Sequence, residues 1–235
     1  MDVLALVHGD GGGPSLFGEV MEGRGDSVVE VNLHRGERPQ RPPSEYEAVL
    51  VLGGTAHPYE EEAHRWLGPE VEYLERVLDE GVPALGVCLG AELFARAAGG
   101  RVERMPEHEI GWFPVELTDA AGDDPVFSAL PGRFPSLQWH EYAAGVPPGA
   151  VELARNDVCP QAYRLGKAVW GVQFHPEVRF EQLVRWIRSY GAQAPVPPEP
   201  FIADAERHIA AWNDIGRTLC SRFLDAAARL RPHDD

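Results

Sequence analysis

Buried-strand patterns alternate with helical patterns over the first half of this 235-residue chain. Because consecutive strands that are joined by helices form a parallel sheet with both faces covered, this alternation predicts an α/β fold. Strand patterns occur at residues 3–7, 27–31, 48–52, 82–87, 112–117, 150–154, 161–165 and 168–174. Helical patterns occur at residues 60–80, 91–98 and 180–190.

Short strands and turns are denser between residues 101 and 174 than in the first half of the chain. This density predicts a small antiparallel addition to the parallel sheet. We therefore expect an open, mostly parallel sheet that is flanked by helices. Since 44% of the residues are hydrophobic, we expect one domain with a large core over residues 1–193.

A proline-rich segment at residues 194–200 predicts a stiff connector. Beyond it, apolar residues recur at nearly helical spacing, which predicts an amphipathic helix over residues 201–235. We expect the apolar face of this helix to pack on the same domain, and a dimer contact is the alternative. The apolar residues of the predicted helix are Ile202, Ala205, Ile209, Trp212, Leu219 and Phe223.

The charge of the chain argues against two classes of partner. Its 37 acidic and 21 basic residues give a net charge of −16, which repels nucleic acid and anionic membranes. The apolar runs are too short to cross a bilayer, and the N-terminus lacks the features of a secretory signal, so we expect a cytoplasmic protein. Cys88, Cys159 and Cys220 are too few and too scattered to predict a disulfide framework or a zinc cluster. We expect no metal and no cofactor.

Cys88 stands between two glycines at a predicted strand-to-helix turn, in the sequence "GVCLGAEL". It is either a small core residue beside a tight turn or a nucleophile that the turn presents. The pattern has the form of a nucleophile elbow with cysteine in place of serine. In the second interpretation the N-terminus of the following helix lowers the thiol pKa. The backbone N–H of Leu89 would then bind the oxyanion that forms on attack.

A cysteine nucleophile needs a base, and the base needs an orienting group. The sequence "VQFHPEV" places His175 and Glu177 at the end of a predicted strand, with a proline between them that fixes the backbone. For His175 alone, a polar residue that ends a strand is an equal interpretation. With Cys88 at another strand end of the same sheet, catalysis is favoured, because ligands bind at the carboxyl ends of strands in open α/β sheets.

A third strand ends in the glycines of "LGGT", at residues 52–55. This is either an ordinary strand-to-loop turn or a second source of oxyanion-binding N–H groups, which requires residues without side chains close to the substrate.

These motifs together resemble the class I glutamine amidotransferases. The resemblance rests on "LGGT", "GVCLGAEL" and "WGVQFHPEV", which occur in that order at family-like separations. It also includes "EIGWFPVEL" at residues 109–117 and "LQWHEYAAGVPPGAVELARND" at residues 137–157, so it spans most of residues 1–190. The chain is most similar to stand-alone members related to the glutaminase domain of GMP synthase. The resemblance implies a flavodoxin-like α/β fold.

The resemblance implies a catalytic triad of Cys88, His175 and Glu177. The thiol would attack the side-chain amide of glutamine, ammonia would leave, and water would hydrolyse the γ-glutamyl thioester. By position, the N–H groups of Gly54 and Leu89 would form the oxyanion hole.

The resemblance also implies a set of substrate-binding residues, in which the backbone around residues 139–142 holds the amino-acid end of the substrate. His140 would be a structural residue of that segment. The implied substrate-binding residues are Gly53, Glu92, Trp139, Glu141 and Tyr142.

Two positions depart from the family pattern. Relatives usually carry glutamine where this chain has Glu92, and glycine where it has Glu141. Helical spacing places Glu92 one turn after Cys88, on the face toward the pocket, where a carboxylate would attract a positive group on the substrate. The alternative is that Glu92 turns to solvent or pairs with Arg96.

Three functions remain open from the sequence. The first is a glutaminase subunit that supplies ammonia to a separate synthase subunit, since the chain has no expected synthase domain. The second is a stand-alone hydrolase of γ-glutamyl peptides or amines. The third is a non-catalytic binding module on the same fold, against which the complete triad argues.

Overall fold

The computed structural model describes residues 1–230. Within these residues, nine strands form one sheet in the order β2-β1-β3-β4-β9-β8-β7-β5-β6. The strands are β1 (Asp2–Val7), β2 (Ser27–Asn32), β3 (Ala48–Val51), β4 (Ala84–Val87), β5 (Val102–Leu117), β6 (Arg133–Ala144), β7 (Ala150–Arg155), β8 (Pro160–Leu165) and β9 (Val169–Val172).

The sheet has a parallel half and an antiparallel half. Strands β2, β1, β3, β4 and β9 pair in parallel, and β9 then pairs with β8 in antiparallel orientation. The pairs β8–β7, β7–β5 and β5–β6 continue the antiparallel half. The predicted α/β class, with a parallel sheet and an antiparallel addition, is confirmed. The addition contains four strands.

The helices cover both faces of the sheet. The strand β1 shows why: Val3, Ala5 and Val7 belong to one hydrophobic cluster, while Leu4 and Leu6 belong to the other. A strand that is buried on both faces has a continuous apolar sequence without alternating polar residues. The sequence of β1 has this pattern. Residues of α1, α4 and α5 pack into the first cluster and residues of α2 and α3 into the second. The helices are α1 (Ser15–Arg24), α2 (Leu67–Asp79), α3 (Leu89–Ala97), α4 (Phe180–Ser189) and α5 (Pro198–Leu230).

Several elements differ from the sequence prediction. The strand β5 begins at Val102 rather than at residue 112, and β6 and α1 were not predicted. The first part of β5 is charged and exposed, and β6 contains a proline and several polar residues although most of it is buried, so the apolar signal of both strands is weak. The helix α2 begins at Leu67 rather than at residue 60, and its second and third residues are Gly68 and Pro69. Proline is favoured in the first turn of a helix, where its missing N–H costs nothing.

The helix α5 begins at Pro198, inside the predicted connector. Pro198 and Pro200 therefore lie in its first turn, where proline is tolerated. Trp212 and Phe223 of α5 are buried in the same hydrophobic cluster as the sheet. Residues 231–235 of the predicted helix lie outside the described residues. Over the described part of the chain, no helix has the length and apolar character needed to span a membrane.

Candidate active site

Cys88 lies in a tight turn between β4 and α3. Its backbone has φ of 51° and ψ of −110°, a conformation that non-glycine residues rarely adopt. A Cβ atom on Gly86 would lie 2.6 Å from the backbone carbon of Gly90, and a Cβ atom on Gly90 would lie 2.1 Å from the carbonyl oxygen of Val51. The two glycines therefore allow strand and helix to approach closely enough for this turn. Such a strained turn is the backbone geometry of a nucleophile elbow.

His175 and Glu177 follow β9, which pairs directly with β4. The distance between His175 Nδ1 and Glu177 Oε1 is 2.9 Å, and both side chains are buried. The backbone N–H of His175 donates to the carbonyl oxygen of Leu137 in β6, at 3.0 Å. The histidine is therefore fixed both by its ring and by its backbone, and its Nε2 atom is left for another partner.

The Cys88 thiol lies beside this ring, since each of the two groups shifts the pKa of the other and both lie close to Gly53. Burial raises the pKa of the Cys88 thiol, and His175 opposes this effect. Burial would lower the pKa of His175, but Glu177 and Cys88 outweigh burial and raise it well above its usual value. The expected lowering of the thiol pKa is therefore wrong for this geometry, because the effect of burial is larger than the opposing effect of His175.

The glycines of the β3 loop pass very close to the catalytic candidates. A Cβ atom on Gly53 would lie 2.9 Å from His175 Cε1 and 3.6 Å from Cys88 Cβ. A Cβ atom on Gly54 would lie 2.6 Å from His8 Cβ and 3.1 Å from Leu89 Cδ2. Both positions thus require glycine for close approach. Leu89 is the first residue of α3, so its N–H has no partner within that helix.

A cavity of about 150 Å³ opens beside Cys88. It brings together the predicted residues Gly54, Cys88, Leu89, Glu92, Trp139, Glu141 and Tyr142. The carbonyl oxygen of Trp139 lies 3.8 Å from Cys88 Sγ. Its other lining residues were not predicted to bind substrate: Thr55, Ala56, His57, Ile110, His140, Tyr190 and Pro195.

Glu92 is buried on α3 and lines this cavity. Its Oε1 accepts a hydrogen bond from Gln173 Nε2 at 2.9 Å, and burial raises the pKa of its carboxyl to about 7. Arg96 does not pair with it and binds Glu61 instead. The structure therefore favours the pocket-facing interpretation of Glu92. Glu141, in contrast, is a partly exposed residue that lies 3.3 Å from Arg104.

A second histidine–glutamate pair lies behind Gly54, and the sequence gives no signal for it. The distance between His8 Nε2 and Glu70 Oε1 is 2.8 Å, and both side chains are almost fully buried. His8 Nδ1 lies 2.9 Å from the carbonyl oxygen of Leu52. These two residues also line a larger cavity of about 790 Å³ on the other side of the loop. Because they are 62 residues apart in the sequence, only the fold brings them together.

The helix α5 also supports the segment that carries His175. Trp212 Nε1 donates to the carbonyl oxygen of His175 at 2.9 Å, and Asn213 Nδ2 donates to that of Val178 at 2.9 Å. A Cβ atom on Gly216 would lie 2.2 Å from the carbonyl oxygen of Pro176. The helix therefore contacts the backbone on both sides of the proline.

A family model for glutamine amidotransferase class-I matches residues 21–185, which is well over half of the chain. The chain belongs to the class I glutamine amidotransferase family. The resemblance that the sequence motifs indicate is therefore confirmed, and the roles of individual residues stay predictions.

Two curated relatives show which members of the family this chain is similar to. It is 28% identical over 238 residues to YfeJ of Salmonella typhimurium, which is described as glutamine amidotransferase-like, and the match covers 96% of each chain. It is 37% identical over 131 residues to a glutamine-hydrolysing GMP synthase of Thermomicrobium roseum. That match covers 55% of this chain and 23% of the synthase.

Solved structures agree with the fold. A glutamine amidotransferase from Thermotoga maritima superimposes with a TM-score of 0.87 at 29% identity, covering 96% of this chain and 98% of that one. A glutamine amidotransferase from Methylobacillus flagellatus also has a TM-score of 0.87, at 22% identity, covering 100% of this chain and 98% of that one. At that identity, the second likeness supports the shared fold only.

Proposed function

We propose that this class I amidotransferase is a glutaminase that hydrolyses the side-chain amide of glutamine. The observation that carries the proposal is the strained turn at Cys88, which holds the thiol against a histidine that Glu177 orients. A structural cysteine has no need of a positive φ, of two obligatory glycines, or of a buried histidine beside its sulfur. Together these features supply a nucleophile, a base and an orienting acid.

The reaction begins with proton transfer from the Cys88 thiol to His175 Nε2. The sulfur attacks the amide carbon, and the resulting oxyanion accepts hydrogen bonds from the N–H groups of Gly54 and Leu89. The imidazolium then donates its proton to the amide nitrogen, the C–N bond breaks, and ammonia leaves. Water attacks the γ-glutamyl thioester with His175 as base, which releases glutamate and restores the thiol.

The substrate pocket is supported by the placement of residues 139–142. The carbonyl oxygen of Trp139 faces the sulfur, and Glu141 and Tyr142 line the same small cavity. Backbone groups of this segment would hold the amino-acid end of glutamine, and the γ-amide would point to Cys88. Gly53 would serve by its lack of a side chain, because it lies between His175 and Cys88.

An ammonia-release assay on glutamine tests this proposal. The wild-type chain should release ammonia and glutamate in equal amounts, and Cys88→Ala should release neither. Cys220→Ser is the matched control, because Cys220 is buried in the core at α5 and should be dispensable for turnover. Equal activity of Cys88→Ala and the wild type would refute the proposal.

The ammonia would be passed to a separate synthase subunit. The support is that glutamine-hydrolysing GMP synthases match this chain along only part of their own length, such as 23% for that of Thermomicrobium roseum. The chain therefore corresponds to the amidotransferase portion of such an enzyme. A synthase that accepts the ammonia should form product from glutamine only when this chain is present, and from added ammonium salt without it.

One observation favours a second candidate, the hydrolysis of γ-glutamyl peptides or amines. Glu92 places a buried carboxylate beside the nucleophile, and it is not neutralised by Arg96. When it is ionised, such a group attracts a positive charge on the substrate. The family's usual glutamine at this position carries no charge.

The two candidates are separated by comparing glutamine with a γ-glutamyl amide whose leaving amine carries a second, positive amino group. If the second candidate holds, Glu92→Gln should shift the kcat/KM ratio toward glutamine by about tenfold, which corresponds to roughly 1.4 kcal/mol. Glu141→Gln is the control, because Glu141 lines the same cavity but is partly exposed and lies beside Arg104. An unchanged ratio in Glu92→Gln would leave the glutaminase as the single candidate.

A further inference from the structure

Three potential metal ligands meet beside the substrate-binding segment 139–142, and the proposed reaction gives none of their side chains a chemical step. Glu109 of β5, His140 of β6 and Cys159, which immediately precedes β8, each offer one ligand atom, and these atoms all lie within 4.8 Å of one another. Glu109 and His140 are 3% and 5% exposed, and Cys159 is 9% exposed. Buried side chains of these three types are seldom grouped unless they share a partner.

The orientation of His140 points to a ligand. Its Nδ1 lies 2.8 Å from the carbonyl oxygen of Tyr142, so Nδ1 carries the proton and donates it there. Its Nε2 lies 3.2 Å from Glu109 Oε2, yet it is buried without a hydrogen-bond partner of good geometry within residues 1–230. A histidine whose second nitrogen is fixed by a backbone carbonyl, with the first aimed at other ligand atoms, is arranged as metal-binding histidines are.

Polar neighbours support the other two ligand atoms. Asn156 Nδ2 donates to Glu109 Oε1 at 2.7 Å. Gln161 Nε2 lies 3.3 Å from Glu109 Oε2 and 3.3 Å from Cys159 Sγ. These amide donors stabilise negative charge on a carboxylate and on a thiolate, the forms in which both groups bind metals. Asn156 Oδ1 also accepts the backbone N–H of Cys159 at 2.9 Å, which fixes the turn that presents the thiol.

We propose that Glu109, His140 and Cys159 form a binding site for Zn²⁺. A set of one sulfur, one imidazole nitrogen and one carboxylate oxygen matches the ligands that zinc prefers. Tetrahedral bonds of about 2.0–2.3 Å place ligand atoms roughly 3.3–3.7 Å apart. Glu109 Oε2 lies 3.2 Å from His140 Nε2 and 3.8 Å from Cys159 Sγ, and all three ligand atoms lie within 4.8 Å of one another, so side-chain movement without a change of backbone can complete the site. The thiol proton is released on binding, and water takes the fourth position.

The site would tie together three parts of the antiparallel half of the sheet. His140 and its neighbours Trp139 and Glu141 all line the cavity beside Cys88. The ion would hold this segment through three side chains, none of which is a hydrogen-bond partner of the nucleophile's sulfur among residues 1–230. This role is structural, and it does not depend on whether the chain hydrolyses glutamine.

Metal binding is measured on the full chain, reduced and first stripped with a chelator. Zn²⁺ is titrated in competition with a chromogenic chelator, and Co²⁺ is used as a probe because a Co–thiolate bond gives a charge-transfer absorption band. We expect one Zn²⁺ per chain and a Co–thiolate band. Cys159→Ser should weaken Zn²⁺ binding at least tenfold and remove the band, and Glu109→Gln should weaken binding without removing it.

Two cysteine variants serve as controls. Cys220→Ser should bind Zn²⁺ like the wild type, because Cys220 lies in α5. Cys88→Ser should also keep its Zn²⁺; if it loses the metal instead, the ion binds at the catalytic cysteine and the proposal is wrong. Absence of stoichiometric Zn²⁺ binding, or wild-type affinity in Cys159→Ser, would equally overturn it and leave a cluster held by hydrogen bonds alone.

A second measurement covers the case in which Cys159→Ser does not fold. In the wild type, the rate at which Cys159 is alkylated is followed by mass spectrometry with and without Zn²⁺. Protection of Cys159 by one equivalent of Zn²⁺ supports the site. Unchanged alkylation of Cys159 at saturating Zn²⁺ contradicts it.

Discussion

Two buried histidine–glutamate pairs lie on either side of the Gly53–Gly54 loop, and they differ in the partner of the second ring nitrogen. In His175–Glu177 the nitrogen–oxygen distance is 2.9 Å, and in His8–Glu70 it is 2.8 Å. Both rings are buried and both carboxylates are close. His175 has the Cys88 thiol as its remaining partner, whereas His8 has the carbonyl oxygen of Leu52.

This difference decides what each ring can do. The two partners of His8 are hydrogen-bond acceptors, so both ring nitrogens must donate and the ring is an imidazolium. Burial would lower the pKa of His8, but Glu70 and the backbone carbonyls outweigh it and raise the pKa. A ring without a free lone pair cannot take a proton from a nucleophile. We therefore expect His175 to act as the base, because the thiol beside it can give up a proton, and we expect His8 to be structural.

The largest expected effect is the loss of catalysis when His175 is replaced. His175→Ala should lower kcat for ammonia release by about 10²–10⁴-fold, because it removes the base. His8→Asn should change kcat by less than about tenfold, which is roughly 1.4 kcal/mol of transition-state stabilisation. Both are measured by steady-state kinetics, after circular dichroism shows that each variant is folded. Equal losses in the two variants would show that the pairs are not functionally distinct.

The next effect concerns stability. His8→Ala leaves Glu70 as an unpaired buried charge, which should cost about 3–5 kcal/mol in the free energy of unfolding. The double variant His8→Leu with Glu70→Leu should cost clearly less, because no charge remains. Urea unfolding of both variants at pH 7 makes the measurement. A larger loss in the double variant than in His8→Ala would contradict the ion-pair description.

The pH dependence of this stabilisation has a definite sign. The folded-state pKa of His8 is raised, so its contribution to stability is fully present below the unfolded-state pKa of about 6.5. The contribution is lost as the pH rises through the folded-state pKa. The difference in stability between the wild type and His8→Ala should therefore shrink as the pH rises above about 7, where the carboxylate left in the variant no longer changes its charge. A difference that grows over this alkaline range would refute the imidazolium assignment.

A smaller effect is expected on the rates at which the three cysteines are alkylated. Burial raises the pKa of Cys159 and of Cys220 to about 12, whereas Cys88 has His175 beside it to oppose burial. Limited alkylation should therefore modify Cys88 first, and His175→Ala should remove this preference. Peptide mass mapping follows the order of modification. First modification at Cys159 or Cys220 in the wild type would contradict the role of His175.

The smallest effect concerns Glu92. Its folded-state pKa of about 7 exceeds the ordinary value of 4.5, so wild-type stability should fall as the pH rises between these values. Glu92→Gln lacks this titration and should gain on the order of 1–3 kcal/mol relative to the wild type above pH 7. Unfolding curves at pH 4.5 and pH 8 test the difference. An equal offset at both values would show that Glu92 is not buried as a charge.

The parallel half of the fold was predictable because β1, β3, β4 and β9 are buried and are therefore continuous apolar runs. The antiparallel half was harder to predict from the sequence, since β6 contains Pro135 and several polar residues. The candidate site likewise contains residues that were predictable from the sequence and residues that were not. Cys88 and His175 lie at strand ends and carry local motifs, but His8, Glu70 and the group around Glu109 are joined only by tertiary contacts. No local pattern encodes a pair of side chains from distant strands.

The helix α5 belongs to the smallest fragment of this chain that we expect to function. A chain cut after residue 193 would keep Cys88, His175 and Glu177, and the family model itself ends at residue 185. Such a fragment would still lose the Trp212 indole that holds the carbonyl oxygen of His175, and would expose the apolar surface beneath it. The position of His175 relative to the Cys88 sulfur therefore depends in part on residues that lie beyond the end of the family model.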